Sequence, residues 1–199
     1  MHVTLDTIRG NIYNGVMEIL RHNDINGIAR VVRGGGIVVY PTDTVWGLGC
    51  NALDQTATQK LKALKGKPAD ANLIWLLPSV AAVVKHCGSV TPLERRLLLK
   101  KHTSVVIHGQ AVRVVKSGWL NRVLTKCGVP VVGTSANPHG GEVITSWRQG
   151  VELLAGKTDA VVRGRKIYRH TPSSLVTVDH TQNPPQIKVI RAGAGISIK

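Results

Sequence analysis

Ser104-Val105-Val106-Ile107-His108-Gly109-Gln110-Ala111-Val112-Arg113-Val114-Val115 decides the fold class. Two β-branched runs, Ser104 to Ile107 and Ala111 to Val115, are separated only by His108-Gly109-Gln110, a spacing that reads as a hairpin. Parallel neighbours need a crossover of about a dozen residues or more. An antiparallel pair is therefore built into the sheet, and a purely parallel sheet is excluded.

Working outward toward the C-terminus, Ser117 can cap a helix to about Lys126, and Val129 to Gly133 reads as a strand. Ser146 can open a helix to about Leu154. Ala160-Val161-Val162, Leu175-Val176-Thr177-Val178 and Ile187 to Ile190 supply further strands. Toward the N-terminus, Thr91 and Ser79 each open a short helix, and Leu73 to Leu77 is a strand ended by Pro78. Asp54 is placed as the N-cap of a helix running to about Lys65. Ile37-Val38-Val39-Tyr40 is a buried strand ended by Pro41. From Asn11 to Arg33, apolar Ile12, Val16, Ile19, Leu20, Ile28, Val31 and Val32 recur near helical spacing until Gly34-Gly35-Gly36. Helices and strands interleave. The economical architecture is α+β (mixed α/β): a single twisted sheet of parallel and antiparallel strands with helices packed on it, expected as one domain over residues 1–199.

The formal net charge is +15, with 11 acidic residues. From Arg95 to Gly141 there are eight Lys or Arg and no Asp or Glu. A field of that sign attracts polyanions such as tRNA or nucleotides, or serves only as a solubilising surface. Cys50, Cys87 and Cys127 are odd in number and scattered, which excludes a disulfide scaffold and a structural zinc site. The eight histidines form no metal-ligand pair on one helix face, so no resident metal is expected. Residues 1–9 lack a signal-type apolar core, and no apolar run reaches membrane-spanning length. The expected setting is reducing, soluble and cytoplasmic, with no membrane partner.

Three segments carry polar chemistry. In Tyr40-Pro41-Thr42-Asp43-Thr44-Val45-Trp46-Gly47-Leu48-Gly49 a buried strand runs into a polar turn and then glycines. Such a turn offers donors and acceptors to a small polar ligand, or else Asp43 makes local backbone hydrogen bonds. In Lys65-Gly66-Lys67-Pro68 two lysines flank a glycine at a helix end. Both ammonium groups can reach phosphate oxygens, or they merely answer the helix dipole while glycine stops the helix. In Val131-Val132-Gly133-Thr134-Ser135-Ala136-Asn137-Pro138 a strand ends in hydroxyls and an amide that can cradle a phosphate or form a simple turn. A Ser-His-Asp hydrolase is disfavoured, because Ser135 lacks the G-x-S-x-G elbow.

Together these segments resemble the YrdC-like threonylcarbamoyl-AMP synthase family, whose pattern reads PT[DE]TVYGLG, then KxR, then SxN, then a late Ser-Thr strand and a terminal Arg-Gly. Here PTDTVWGLG differs only by Trp46, and Ser135-Ala136-Asn137 is intact. Ala111 to Val114 resembles the strand before the second motif, Pro172-Ser173-Ser174-Leu175-Val176 the Ser-Thr strand, and Val189-Ile190-Arg191-Ala192-Gly193 the terminal Arg-Gly. The order is consistent from about residue 14 to 193. Three positions depart: Lys67 stands for the family's Arg, Lys101-His102-Thr103-Ser104 replaces PGPxT, and Trp75 and Leu76 lie where a His is usual.

The resemblance implies a YrdC-like fold and a nucleotidyltransferase that joins L-threonine, bicarbonate and ATP into L-threonylcarbamoyladenylate, releasing pyrophosphate, for tRNA modification. It implies Lys65, Lys67, Ser135 and Asn137 as the catalytic set. Thr42, Thr44, Arg113 and Ser173 fall to the threonine side. Lys65, Lys67, Ser104, Thr134, Ser135, Asn137 and Arg191 fall to ATP. Mg²⁺ would accompany ATP, tRNA is an expected partner, and a threonylcarbamoyl transferase complex would act downstream. The departures leave a second reading: a divergent YrdC-like RNA-binding paralogue without synthase activity.

Overall fold

The hairpin forms where its spacing places it. β5 (Thr103–Ile107) and β6 (Gln110–Val114) pair antiparallel, with Ile107 opposite Gln110. That leaves His108 and Gly109 as a two-residue loop, with φ of 46° and 83°. Positive φ at both central residues is what a type I′ hairpin turn needs. The computed structural model describes residues 17–116, 118–137, 141, 144–164 and 171–196. Ser117, Pro138 and the stretch from Asn11 to Val16 lie outside them.

The remaining elements, in chain order, are β1 (Glu18–Arg21), α1 (Ile25–Arg33), β2 (Val38–Pro41), β3 (Trp46–Gly49), α2 (Gln55–Leu64), β4 (Ile74–Leu77), α3 (Val80–Cys87) and α4 (Pro92–Leu98). After the hairpin come α5 (Gly118–Cys127), β7 (Val131–Ser135), α6 (Trp147–Leu154), β8 (Ala160–Arg163), β9 (Ser174–Asp179) and β10 (Gln186–Arg191). The strands form one mixed sheet in the order β1-β8-β2-β3-β7-β4-β6-β5-β9-β10. β1/β8, β2/β8, β4/β6 and β5/β9 are parallel; the other neighbours are antiparallel.

The expected helix starts are observed. Asp54, Ser79, Thr91 and Ser146 each accept a hydrogen bond from the backbone N–H three residues on. Each such cap is worth about 1 kcal/mol. At α4 the cap is a full box: Thr91 and Glu94 satisfy each other's backbone N–H, with Pro92 in the first turn.

One expectation is corrected and one strand is added. The segment from Asn11 to Arg33 is not one helix: residues 18–21 are strand β1, paired with β8, and α1 begins only after Asp24 caps it through Gly27 N–H. The glycines that follow the polar turn, given no element by the sequence, lie in a strand: Trp46–Gly49 is β3, buried throughout between β2 and β7. Glycine fits there because the Tyr40 ring crosses it; a Cβ on Gly49 would sit 2.6 Å from both Tyr40 Cε1 and Val132 O. Tyr40 in turn donates to Val132 O at 3.1 Å, and burial pushes its phenol above the ordinary value. β7 also runs two residues further than expected, to Ser135.

Helices cover the two faces unequally. α2 and α6 pack on Val39, Trp46, Leu48, Val132 and Val161, and α3 and α4 pack on Leu77, Val105, Val112 and Val176. On the opposite face α1 and α5 cover Val38, Tyr40, Val131 and Val162, with Leu76 at their border. Side chains alternate along strands, so Gly133, Ala111, Arg113 and Leu175 share that second face beyond the reach of α1 and α5, with Ile74 packed at the edge of their cluster. The bare half of the face is the floor of a cleft.

Candidate active site

The cleft holds about 830 Å³, within the usual range for a small-molecule site. Thr42, Thr44, Lys65, Lys67, Arg113, Thr134, Ser135, Asn137, Ser173 and Arg191 all line it. Its charged side chains among the described residues are four cations and no carboxylate. A wall of one sign over an apolar floor focuses a positive field on any anionic ligand.

The lysine pair is set by a helix end. Lys65 is the C-cap of α2, and Gly66 takes φ 57°. Gly66 N–H donates to Ala63 O and Lys67 N–H to Lys62 O, the two bonds of a Schellman ending. The helix-stop reading of the sequence is therefore right as local structure, and the same turn delivers both lysines to the cleft. Their surroundings differ. Lys65 is 6% exposed and donates to Ser135 O (3.0 Å), Asn137 O (2.7 Å) and Asn137 Oδ1 (2.6 Å). Burial, with Lys67 nearby, lowers its ammonium to about 8. Lys67 is exposed, and its side chain has no hydrogen bond or ion pair among the described residues.

Lys65 thus pins the end of β7. Ser135 Oγ donates to the same Asn137 Oδ1 at 2.7 Å, and Asn137 Nδ2 donates to Gly141 O at 2.8 Å. The strand end is held by this network, in which the Ser135 hydroxyl gives its proton to Asn137 and keeps its lone pairs as acceptors.

The Thr42–Thr44 turn is organised by Thr42 Oγ1, which accepts from Thr44 N and Val45 N and lies 3.1 Å from Thr44 Oγ1. Asp43 does not make the local bonds that its type suggests. It receives Arg113 Nη2 on both carboxylate oxygens, at 2.7 and 2.6 Å. Across the cleft, Arg191 donates to Ser173 O at 2.8 Å.

Ser104 departs from expectation. It is fully buried, is not on the cleft wall, and among the described residues its hydroxyl meets only Ser173 Oγ, at 3.0 Å. The strand alternation points it to the cleft face, but Ser173 lies over it. The sequence reading missed Asp43 as the partner of Arg113, 70 residues away, and His102 beside that same carboxylate, because contacts at such separations leave no local pattern. It also missed the apolar floor of Ile74, Leu76, Ala111 and Leu175, whose period-two alternation in β4 and β6 was the available signal.

Cysteine and histidine nucleophiles find no support among the described residues. No cysteine or histidine lines the cleft among the described residues. Burial pushes the Cys50 thiol up to about 12 and Cys127 to about 11, so neither is a thiolate near neutrality. Among the described residues no group of three or more His, Cys, Asp or Glu can hold a metal, and no helix is long and apolar enough to cross a membrane.

Known proteins share this architecture. The threonylcarbamoyl-AMP synthase of Stutzerimonas stutzeri (strain A1501) is 31% identical over 173 residues, covering 76% of this chain and 90% of that protein. The threonylcarbamoyl-AMP synthase of Cellvibrio japonicus (strain Ueda107) is 29% identical over 168 residues, covering 76% and 89%. A crystal structure of P. abyssi Sua5 complexed with L-threonine superposes with a TM-score of 0.74 at 26% identity, over 88% of this chain. This chain spans only 56% of that Sua5 chain. E. coli YciO shares the fold, with a TM-score of 0.75 at 19% identity over 90% of this chain and 97% of its own. The family model for Sua5, YciO and YrdC proteins, described as telomere recombination, matches residues 30–193. With most of its length matched in that way, the chain belongs to the Sua5/YciO/YrdC family.

Proposed function

We propose that this chain is an L-threonylcarbamoyladenylate synthase, forming L-threonylcarbamoyl-AMP and pyrophosphate from L-threonine, bicarbonate and ATP for threonylcarbamoyl modification of tRNA adenosine. One observation carries the reading. Four segments far apart in sequence, around Thr44, Lys65, Ser135 and Ser173, line one cleft whose charged side chains among the described residues are all cationic. Relatives named threonylcarbamoyl-AMP synthase, matched over about 90% of their length, support it.

Every substrate is anionic or carries an anionic end: triphosphate, bicarbonate and the threonine carboxylate. In the proposed sequence the threonine amine adds to bicarbonate-derived CO₂ and gives a carbamate. A carbamate oxygen attacks the α-phosphorus of ATP, and pyrophosphate leaves. No protein nucleophile is required; alignment and charge neutralisation do the work. Lys67, exposed at the rim, meets phosphate oxygens directly. Lys65 adds charge to the wall while fixing Ser135 and Asn137, which with Thr134 and Arg191 face the nucleotide. Thr42, Thr44, Arg113 and Ser173 take the threonine side. Ser104 acts only as the support of Ser173. Among the described residues the cleft lining includes no carboxylate, and Mg²⁺ would come with ATP on its phosphates. The basic surface would attract tRNA, and a threonylcarbamoyl transferase complex would receive the adenylate.

The test is pyrophosphate release that requires threonine, bicarbonate and Mg-ATP together, with labelled bicarbonate appearing in a threonine adduct. Release that ignores threonine or bicarbonate, or none at all, sinks the reading and leaves an RNA-binding paralogue that kept the pocket.

A further inference from the structure

The segment that replaces the family's PGPxT places an imidazole against the motif turn. His102 has φ 54°, and its carbonyl accepts from Ser174 N–H at 2.9 Å, so its backbone is locked at the start of β5. Its ring Nδ1 lies 3.2 Å from Asp43 Oδ2. That nitrogen is sealed from solvent and has no well-aligned hydrogen bond. A buried ring nitrogen without a partner is costly, and the Asp43 carboxylate, 3.2 Å away, is the ionisable group beside it among the described residues.

The other side of the same carboxylate holds Arg113. Its guanidinium is almost wholly buried, and Nη2 donates to both Asp43 oxygens. Nη1 and Nε donate to nothing among the described residues, while Arg113 lines the cleft. A guanidinium is planar and its donors are fixed relative to one another. Tethering Nη2 therefore sets where the two remaining donors point.

We infer that His102 and Asp43 are positioning residues: they clamp Arg113 from behind so that its free N–H groups face an anionic oxygen of the substrate, the carboxylate of the amino acid. His102 acts through Asp43, and Asp43 through Arg113; neither is on the cleft wall. The amino-acid assignment rests on the synthase reading above, whereas the clamp itself does not.

Two variants separate the clamp from backbone strain. His102→Gly relaxes the positive φ but removes the ring. His102→Asn tolerates positive φ and keeps an N–H donor near the position of Nδ1. In initial-rate assays of pyrophosphate release, His102→Gly should raise the KM for threonine about tenfold, with the KM for ATP and kcat within about twofold, since one misaligned charged hydrogen bond is of that order. His102→Asn should return the threonine KM to within about twofold of the parent. An unchanged threonine KM in His102→Gly, or equal rises for threonine and ATP, overturns the inference. The Arg113 Nε–H signal in NMR needs neither substrate nor turnover. It should be sharp in the parent and His102→Asn, and broadened or lost in His102→Gly and Asp43→Asn. A parent without synthase activity defeats the reading of the reaction only; an Arg113 signal indifferent to His102→Gly and Asp43→Asn defeats the clamp.

Discussion

Lys65 and Asn137 should behave as one unit. Lys65→Ala removes three donors at once, to Ser135 O, Asn137 O and Asn137 Oδ1, from a site that is 6% exposed. The stranded oxygens are largely sealed from water, but relief of the buried ammonium, which already sits at about 8, offsets part of the loss. A net destabilisation of about 2 kcal/mol follows, the cost of an unsatisfied buried acceptor. For a chain of this size that lowers Tm by about 4–8 °C, so the fold survives. The effect on rate is larger, because a charge on the wall is lost and the β7 end is unpinned. Removing one such preorganised donor costs about 10²–10³ in kcat. Asn137→Ala removes the acceptor that binds both Lys65 and Ser135 and should cost a similar factor. If the two acted independently, the double variant would lose about 10⁴–10⁶. With one shared network it should lose no more than about tenfold beyond the worse single variant, a coupling of at least about 1.4–2.7 kcal/mol. Pyrophosphate release by the parent, both singles and the double gives the cycle directly. Multiplicative losses, or a Lys65→Ala enzyme of near-normal rate, would refute the network and reduce Lys65 to a helix-end lysine.

Lys67→Arg should be tolerated or should raise turnover, because the side chain is exposed and a guanidinium can grip phosphate oxygens with two donors; abolished pyrophosphate release would show a pocket rebuilt around lysine. The kcat/KM profile should fall as pH rises through about 8, since the lowered Lys65 ammonium loses its proton there. Folding stability should move the other way between about 8 and the ordinary 10.5, where the unfolded chain holds the extra proton; a rate flat to about pH 10 contradicts the assignment. Binding of tRNA, followed by a gel or filter assay, should weaken steeply with salt, with a log–log slope of about −0.9 per phosphate contact on duplex. Constant affinity across a several-fold change in salt would leave the +15 charge as a solubility feature.

What could be read in the sequence was local physics. Asp54, Ser79, Thr91 and Ser146 announced helices because a cap is satisfied within its own next turn. The 103–114 hairpin was legible because its loop is two residues long. β1 was not, because Ile19, Leu20 and Ile28 keep a helix-like spacing straight across Asp24, the cap that starts α1; it is a strand because of a parallel partner near residue 160. β3 was hidden by Gly47 and Gly49, whose low strand propensity is outweighed by the close approach of Tyr40 and Val132. At the site, the motifs located the wall but not its wiring. Lys65 reads as a free cation in sequence and is a structural pin in space. Asp43 reads as a turn residue and is the tether of Arg113.

The three departures from the family pattern do not carry equal weight once placed. Lys67 keeps a cation at an exposed rim, so the change costs geometry and not charge. Ser104 lies behind Ser173, so its hydroxyl bears on substrate only through the hydroxyl in front of it. On β4 the side chains alternate, and Leu76 faces the cleft while Trp75 packs with the core on the opposite face. Leu76 also fills the space above Gly133, where a Cβ would sit 2.7 Å from its Cγ. That part of the floor can neither donate nor accept a hydrogen bond. On the proposed synthase reading, a substrate hydroxyl would be met away from that patch, by cleft hydroxyls such as the coupled Thr42 and Thr44 or the buried Ser173. The departures leave an apolar patch on the floor and the cationic wall intact.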